Sequence, residues 1–231
     1  MSSIDQKYID NFDEYFNLDL DDDDYESEED FLPEDYLKGN VKIEDIRAVR
    51  KTLLYFVIDK SVSMRDYGLE DAVRQSLTDV KNLVDHSYEK DDMMIATTFF
   101  GSELDIRPFQ EGGFIDTSYS ATDKRTRLYD AIVESCKNML KQYDKLSCSA
   151  RLNGVMLIFT DGGKDASEEY DICDAKYFLN KLRARHITYL VISLGGKKIQ
   201  QLCREFNTEP VSTEERLKLG TRMMFVSERP W

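Results

Sequence analysis

The segment that most narrows the fold is the apolar run Leu53-Leu54-Tyr55-Phe56-Val57-Ile58, closed by Asp59-Lys60-Ser61-Val62-Ser63. Six consecutive apolar residues leave no polar face, so a strand built from them must be covered on both sides. Met93 to Phe100, Leu152 to Thr160 and Ile187 to Leu194 read the same way. Helical patterns lie between them. Leu69, Val73, Leu77, Val80 and Val84 repeat at three- and four-residue spacing, and after Thr126 so do Leu128, Ile132, Cys136, Met139 and Leu140. A further helix is expected near 169–184, with Tyr177, Phe178 and Leu182, and a short one up to about Phe206. Buried strands alternating with amphipathic helices predict an α/β fold: a doubly wound, mainly parallel six-stranded sheet with helices on both faces, Rossmann-like in outline. Leu104 to Phe109 follows Met93 to Phe100 across Gly101-Ser102-Glu103, a spacing that suits a hairpin and therefore one antiparallel edge strand. Residues 110–124 read as a long loop, and a last strand is expected near Met223 to Val226.

The chain has 231 residues, room for one domain with a full core and an appendage. Its formal charge of −14 is concentrated at one end. Residues 1–40 hold 15 Asp and Glu against two Lys, so the other 191 residues carry only −1. We therefore divide the chain into an acidic arm, 1–45, and a domain, 46–231. The arm interleaves Phe12, Tyr15, Phe16, Tyr25, Phe31 and Tyr36 with acids such as Asp21 to Asp24, without sustained periodicity. Such a segment cannot bury enough apolar surface to order itself, so it is expected to be disordered alone. The near-neutral body offers no clustered Lys and Arg to displace counterions from phosphates, so nucleic acid is not an expected partner. Cys136, Cys148, Cys173 and Cys203 are far apart and form no Cys-x-x-Cys pair, which argues against zinc. No run approaches the roughly 18 apolar residues of a membrane span, and no signal-like leader opens the chain. The expectation is a soluble, cytoplasmic protein.

In an open α/β sheet, ligands bind beyond the carboxyl ends of the strands. Three oxygen-rich segments belong there. Asp59, Ser61 and Ser63 leave the first strand, Thr126 stands before Leu128-Tyr129-Asp130-Ala131-Ile132, and Asp161 ends Leu157-Ile158-Phe159-Thr160. Hydroxyls with one or two carboxylates suit a hard cation, Mg²⁺ or Mn²⁺, that keeps part of its coordination shell for water or a foreign ligand.

The order Asp-x-Ser-x-Ser after a first strand, Thr before Leu-Tyr-Asp-Ala-Ile, then an apolar strand ending Thr-Asp-Gly, resembles the von Willebrand factor A domain with its metal-ion-dependent adhesion site. The resemblance covers about residues 50–207 and fits the stand-alone intracellular bacterial type. It implies that Asp59, Ser61, Ser63, Thr126 and Asp161 are the metal-site residues, the hydroxyls binding directly and the aspartates directly or through water. It also implies a protein-protein interaction module, an adaptor taking a partner's Glu or Asp on the ion. Relatives of this kind work beside AAA-type ATPases or in bacterial stress and defence systems. Two positions depart from the family, which commonly has Gly where Val62 and Arg125 stand. A β-branched residue narrows the backbone a metal loop can use.

Other readings are open to the same residues. Asp59, Asp161 and Asp165 could be the acidic strand ends of a PIN-like metal-dependent nuclease, although the second serine and the Thr126 segment would then be unexplained. A metal-free structural subunit on the same scaffold is a third. Catalysis is not expected, because neither His86 nor His186 has a recognisable catalytic neighbour. Taken alone, Thr126 would more often be a helix N-cap and the two serines an ordinary turn. Lys60, Arg65, Lys124, Arg125, Arg127 and Lys164 surround the presumed site, and if they converge they favour an acidic partner. The acidic arm could cover the metal face in cis as a competitive lid, reach a neighbouring copy, dock on a partner, or serve only as a solubilising tail.

Overall fold

The computed structural model describes residues 50–87, 90–111, 115–163, 165–193, 197–208 and 210–211. The acidic arm, Lys164 and the strand expected near Met223 to Val226 lie outside them. In chain order the elements are β1 (Arg50–Asp59), α1 (Val62–Asp66), α2 (Glu70–Asp85), a 3₁₀ turn (Lys90–Asp92), β2 (Met93–Phe100) and β3 (Leu104–Glu111). There follow α3 (Leu128–Leu146), β4 (Arg151–Thr160), α4 (Ile172–Ala184), β5 (Thr188–Ser193), α5 (Lys197–Glu205) and β6 (Pro210–Val211).

The strands form one six-stranded sheet in the order β3-β2-β1-β4-β5-β6. All pairs are parallel except β2 with β3, the antiparallel edge anticipated from the Gly101-Ser102-Glu103 hairpin. The sixth strand is Pro210–Val211, paired with Val191 and Ile192. Glu209-Pro210 carries no apolar run, so nothing local distinguishes this strand from a loop.

Alternation along the strands sorts the apolar residues into two clusters, one on each face. Tyr55 and Val57 of β1 join Met156 and Ile158 of β4 beneath α3, α4 and α5, where Ile132, Cys136, Met139, Leu179, Leu182, Ile199 and Phe206 close the layer. Phe56 and Ile58 join Leu157 and Phe159 beneath α2, whose Val73, Leu77 and Val84 cover them. Burying each such side chain contributes about 1.5–3 kcal/mol, and this double cover is why β1 has no polar residue between Thr52 and Asp59.

A polar link crosses the first cluster. The Tyr55 hydroxyl lies 2.9 Å from Thr98 Oγ1, Ser135 Oγ donates to the same oxygen at 3.0 Å, and Asn138 Nδ2 donates to the Tyr55 hydroxyl at 3.2 Å. It ties β1, β2 and α3 together at one level of the core.

Candidate metal centre

β1 ends in Asp59, which continues the phase of Tyr55 and Val57 and is fully buried. Its Oδ1 accepts the Ser61 N–H at 2.8 Å and its Oδ2 accepts the Thr160 hydroxyl at 2.9 Å. The Tyr119 hydroxyl donates to its carbonyl. Burial pushes the Asp59 carboxyl up to about 6; donors from Ser61 and Thr160 oppose the rise, and the nearby charge of Asp161 adds to it. With each carboxylate oxygen already held by a protein donor, Asp59 is placed to orient the loop and to reach a cation through water.

The chain turns at once into α1. Ser61 is its N-cap residue but makes no side-chain cap bond; its hydroxyl lies 3.0 Å from that of Ser63. The two serines are therefore more than a turn signature, because their oxygens meet. Val62 is the first residue of this helix, a conformation a β-branched residue adopts readily, so the departure from Gly is accommodated.

The loop carrying Thr126 is stitched to the serine loop by main-chain bonds. Val62 N–H donates to Asp123 O at 2.6 Å and Asp123 N–H to Lys60 O at 2.9 Å, forming an isolated parallel bridge between Ser61 and Asp123. Thr126 is buried, and its carbonyl accepts Ala166 N–H at 2.8 Å. It does not cap α3. The N-cap is Arg127, without a side-chain cap bond, and the free N–H groups of the first turn are taken from outside the helix. Asp165 Oδ1 accepts Leu128 N–H at 3.0 Å, and Ser167 Oγ accepts those of Tyr129 and Asp130 at 2.9 and 3.1 Å.

Asp161 follows β4 and is buried at 4% exposure. Its Oδ1 accepts Gly163 N–H at 2.6 Å, across a turn in which Gly162 takes a φ of +70°. Its Oδ2 is buried with no hydrogen-bond partner, alone in this among the side-chain atoms of the described residues. A Cβ placed on Gly163 would stand 2.9 Å from Asp161 Oδ1 and 3.6 Å from Ser63 Oγ. Ser63 and Asp161 thus border one small space that the absence of a side chain keeps open.

Asp59, Ser61 and Ser63 are joined by direct contacts, Asp161 borders the same space as Ser63, and Thr126 is fixed by main-chain bonds, its own carbonyl to Ala166 and its neighbour Asp123 to the serine loop. Asp165 is not part of the group, since its carboxylate is spent on the start of α3 and on Ser167 N–H at 3.1 Å. The three-carboxylate arrangement of the nuclease reading is therefore absent here. Among the described residues no three His, Cys, Asp or Glu side chains group to hold a metal ion. A cation at this place would be bound largely by hydroxyls, and the hydroxyl-rich set with an orphaned carboxylate oxygen fits a hard divalent ion.

The basic rim expected around the site is largely paired off. Arg125 meets Glu168 at 2.6 Å, Arg127 meets Asp130 at 2.7 Å and Glu169 at 3.4 Å, and Arg65 meets Asp66 at 3.6 Å. Lys60 stands 6.0 Å from the centre of the Phe99 ring. His86 ends α2, its Nδ1 2.6 Å from Asn82 O, and His186 sits in the left-handed turn before β5. Both are at the amino ends of strands, away from Asp59 and Asp161. Sequence reading missed Thr160 and Tyr119 as supports of Asp59. The alternation of β4 offered a signal for Thr160; Tyr119, inside an aperiodic loop, offered none.

No protein-family model and no curated protein matches the sequence. Solved structures do match in fold. Manganese-loaded TRAP protein of Plasmodium vivax superposes with a TM-score of 0.53 at 17% identity, over 77% of this chain and 75% of that one. The conserved hypothetical protein BatB of Bacteroides thetaiotaomicron gives 0.51 at 14% identity, over 78% of this chain and all of that one. Proximal thread matrix protein 1 of the mussel byssus gives 0.52 at 14%, and this chain spans only 49% of its length. The architecture is that of a von Willebrand factor A type, Rossmann-like α/β fold. No helix among the described residues is long and apolar enough to cross a membrane.

Proposed function

We propose that the chain is a protein-interaction module that takes its partner through a divalent cation, Mg²⁺ or Mn²⁺. The hydroxyls of Ser61, Ser63 and Thr126 and the carboxylate of Asp161 would hold the ion, with Asp59 acting through water and by orienting Ser61. Bound there, the ion supplies an electrophilic position that a Glu or Asp carboxylate of another protein can fill. The observation that carries this reading is Asp161 Oδ2, a buried carboxylate oxygen without a hydrogen-bond partner, on a side chain that borders the same space as the Ser63 hydroxyl. An unsatisfied buried acceptor costs about 1–3 kcal/mol, more when charged, and a cation offsets that cost.

The fold supports the reading without extending it to a partner. One structure neighbour is manganese-loaded and another is a pilus adhesin, SpaC of Lactobacillus rhamnosus. We read the role as non-catalytic, a reading supported by the two histidines lying at the opposite ends of the strands, where neither can serve this site as a general base. We place the module in the cytoplasm, as an adaptor within a larger assembly of the kind built around AAA-type ATPases or in bacterial stress and defence systems.

Peptide display on the full chain in Mn²⁺ tests the reading. Recovered peptides should share one Glu or Asp, lose binding when that residue becomes Gln or Asn, and be released by EDTA. Peptides held equally in EDTA would overturn it in favour of a metal-free subunit.

A further inference from the structure

The start of α3 and the loop after β4 hold each other by exchanged hydrogen bonds. Asp165 and Ser167 accept three N–H groups from residues 128–130, as described above. In return the Asp130 carboxylate, itself fully buried, accepts three N–H groups from that loop: Glu168 on Oδ2 at 3.0 Å, and Glu169 and Tyr170 on Oδ1 at 3.1 and 2.9 Å. Arg127 Nε completes the set on Oδ2 at 2.7 Å. Burial raises the Asp130 carboxyl, but the backbone donors and Arg127 outweigh it and hold the group below its ordinary value.

The position of this exchange gives it meaning. Thr126 lies four residues before Asp130, and its carbonyl is bonded to Ala166, which sits between Asp165 and Ser167. Asp161 lies four residues before Asp165 on the other strand of the clamp. Two of the three segments that make the candidate centre, contributed by chain regions 35 residues apart, are thus fixed to each other by bonds in which neither Thr126 Oγ1 nor the Asp161 carboxylate takes part. A surface ion pair could not do this, being exposed and weakly held. Asp130 has a side-chain exposure of 1%, and each of its oxygens carries two donors.

Resting on the metal reading above, we infer that Asp130 is a positioning residue of the centre, setting the Thr126 loop against Asp161 before an ion arrives. Groups that orient ligands without touching the metal commonly change affinity 10- to 100-fold when altered. Asp130→Asn keeps one acceptor oxygen but presents an NH₂ to Glu168 N–H and Arg127 Nε, so half of the clamp is lost. Ser167→Ala removes the hydroxyl that accepts from Tyr129 and Asp130 N–H, leaving Tyr129 only its 3.4 Å bond to Asp165 Oδ1, and is the milder change. Leu179→Ala, a deletion in the core under α4, supplies a loss of stability with no tie to either loop.

The test is direct Mn²⁺ binding to the full chain, read by the electron paramagnetic resonance of free Mn²⁺, with urea unfolding measured on the same samples in EDTA. Asp130→Asn is expected to weaken Mn²⁺ binding 10- to 100-fold and Ser167→Ala by several-fold, while Leu179→Ala keeps the wild-type affinity in its folded fraction. Equal affinity of Ser167→Ala, Leu179→Ala and wild type would overturn the clamp while leaving the metal reading intact, even if Asp130→Asn fails to fold. No Mn²⁺ binding by the wild type would overturn the metal reading, and the clamp's role with it.

Discussion

Asp59→Asn should abolish a loss of stability that the metal-free protein suffers as pH rises to neutral, and the size of the effect follows from its surroundings. The Asp59 carboxyl is raised from 3.8 to about 6 because burial disfavours its charge more than Ser61 and Thr160 favour it. The folded state therefore binds more protons than the unfolded one between these two values, and stability falls as pH rises through that window. Below about pH 4 both states are protonated and the difference vanishes; above about pH 6 the penalty is complete. About two pKa units correspond to about 3 kcal/mol, an upper figure because the unfolded chain is not free of residual structure. Asn keeps an acceptor for Ser61 N–H and cannot ionise; it loses the acceptor of the Thr160 hydroxyl, a cost of about 1–3 kcal/mol that does not depend on pH and so leaves the slope of the difference unchanged. Urea midpoints of wild type and Asp59→Asn in EDTA, taken at half-unit steps from pH 4.5 to 7.5, read the effect as a difference between the two curves. The wild type should lose stability relative to the variant as pH rises toward 6 and run parallel to it above 7. A constant difference across the range, or one of opposite slope, would refute the claim that an ionised Asp59 is a burden on the apo fold.

Three further outcomes are expected. Gly101→Ala would bring a Cβ to 2.2 Å from Asp123 Oδ2, so Asp123 must give up Ser102 N–H and pull on the bridge to Ser61; a loss of about 1–3 kcal/mol together with weaker Mn²⁺ binding should appear in unfolding and calorimetry. Gly163→Ala, whose Cβ enters the space between Asp161 and Ser63, should weaken Mn²⁺ binding at least tenfold while changing the unfolding free energy in EDTA by less than about 1 kcal/mol. Thr98→Val leaves the Tyr55 and Ser135 hydroxyls without their shared buried partner and should destabilise by about 1–3 kcal/mol, with Mn²⁺ affinity unchanged.

What could be read in advance followed from burial. β1 and β4 are covered on both faces, so their apolar runs are continuous and their ends sharp, and the residues that leave the sheet at Asp59 and Asp161 stand out for that reason. The helices α2 and α3 announced themselves by period. α1, with five residues, is too short to show a period, and β6 is a two-residue pairing with no pattern of its own. Thr126 shows the limit more sharply. Alone it reads as an N-cap, yet the donors it would have capped are satisfied by Asp165 and Ser167, about forty residues on, a substitution only the folded chain reveals. The pairing of the basic rim was hidden in part for the same reason: the nearness of Arg125 to Glu168 and of Arg127 to Glu169 is tertiary, whereas Arg127 with Asp130 and Arg65 with Asp66 are local pairs that went unremarked.

The central claim is that the folded chain binds a divalent cation through Ser61 and its neighbours. Thermal unfolding against Mg²⁺ and Mn²⁺ concentration, for wild type and Ser61→Ala, tests it most directly, because a ligand of the native state alone stabilises by mass action. At a free ion concentration 100 times Kd the gain is about 2.7 kcal/mol, or roughly 5–11 °C in Tm for a domain of this size. The account predicts a saturable rise of that order in the wild type and none in Ser61→Ala; a flat wild-type curve, or an equal rise in both proteins, would contradict it.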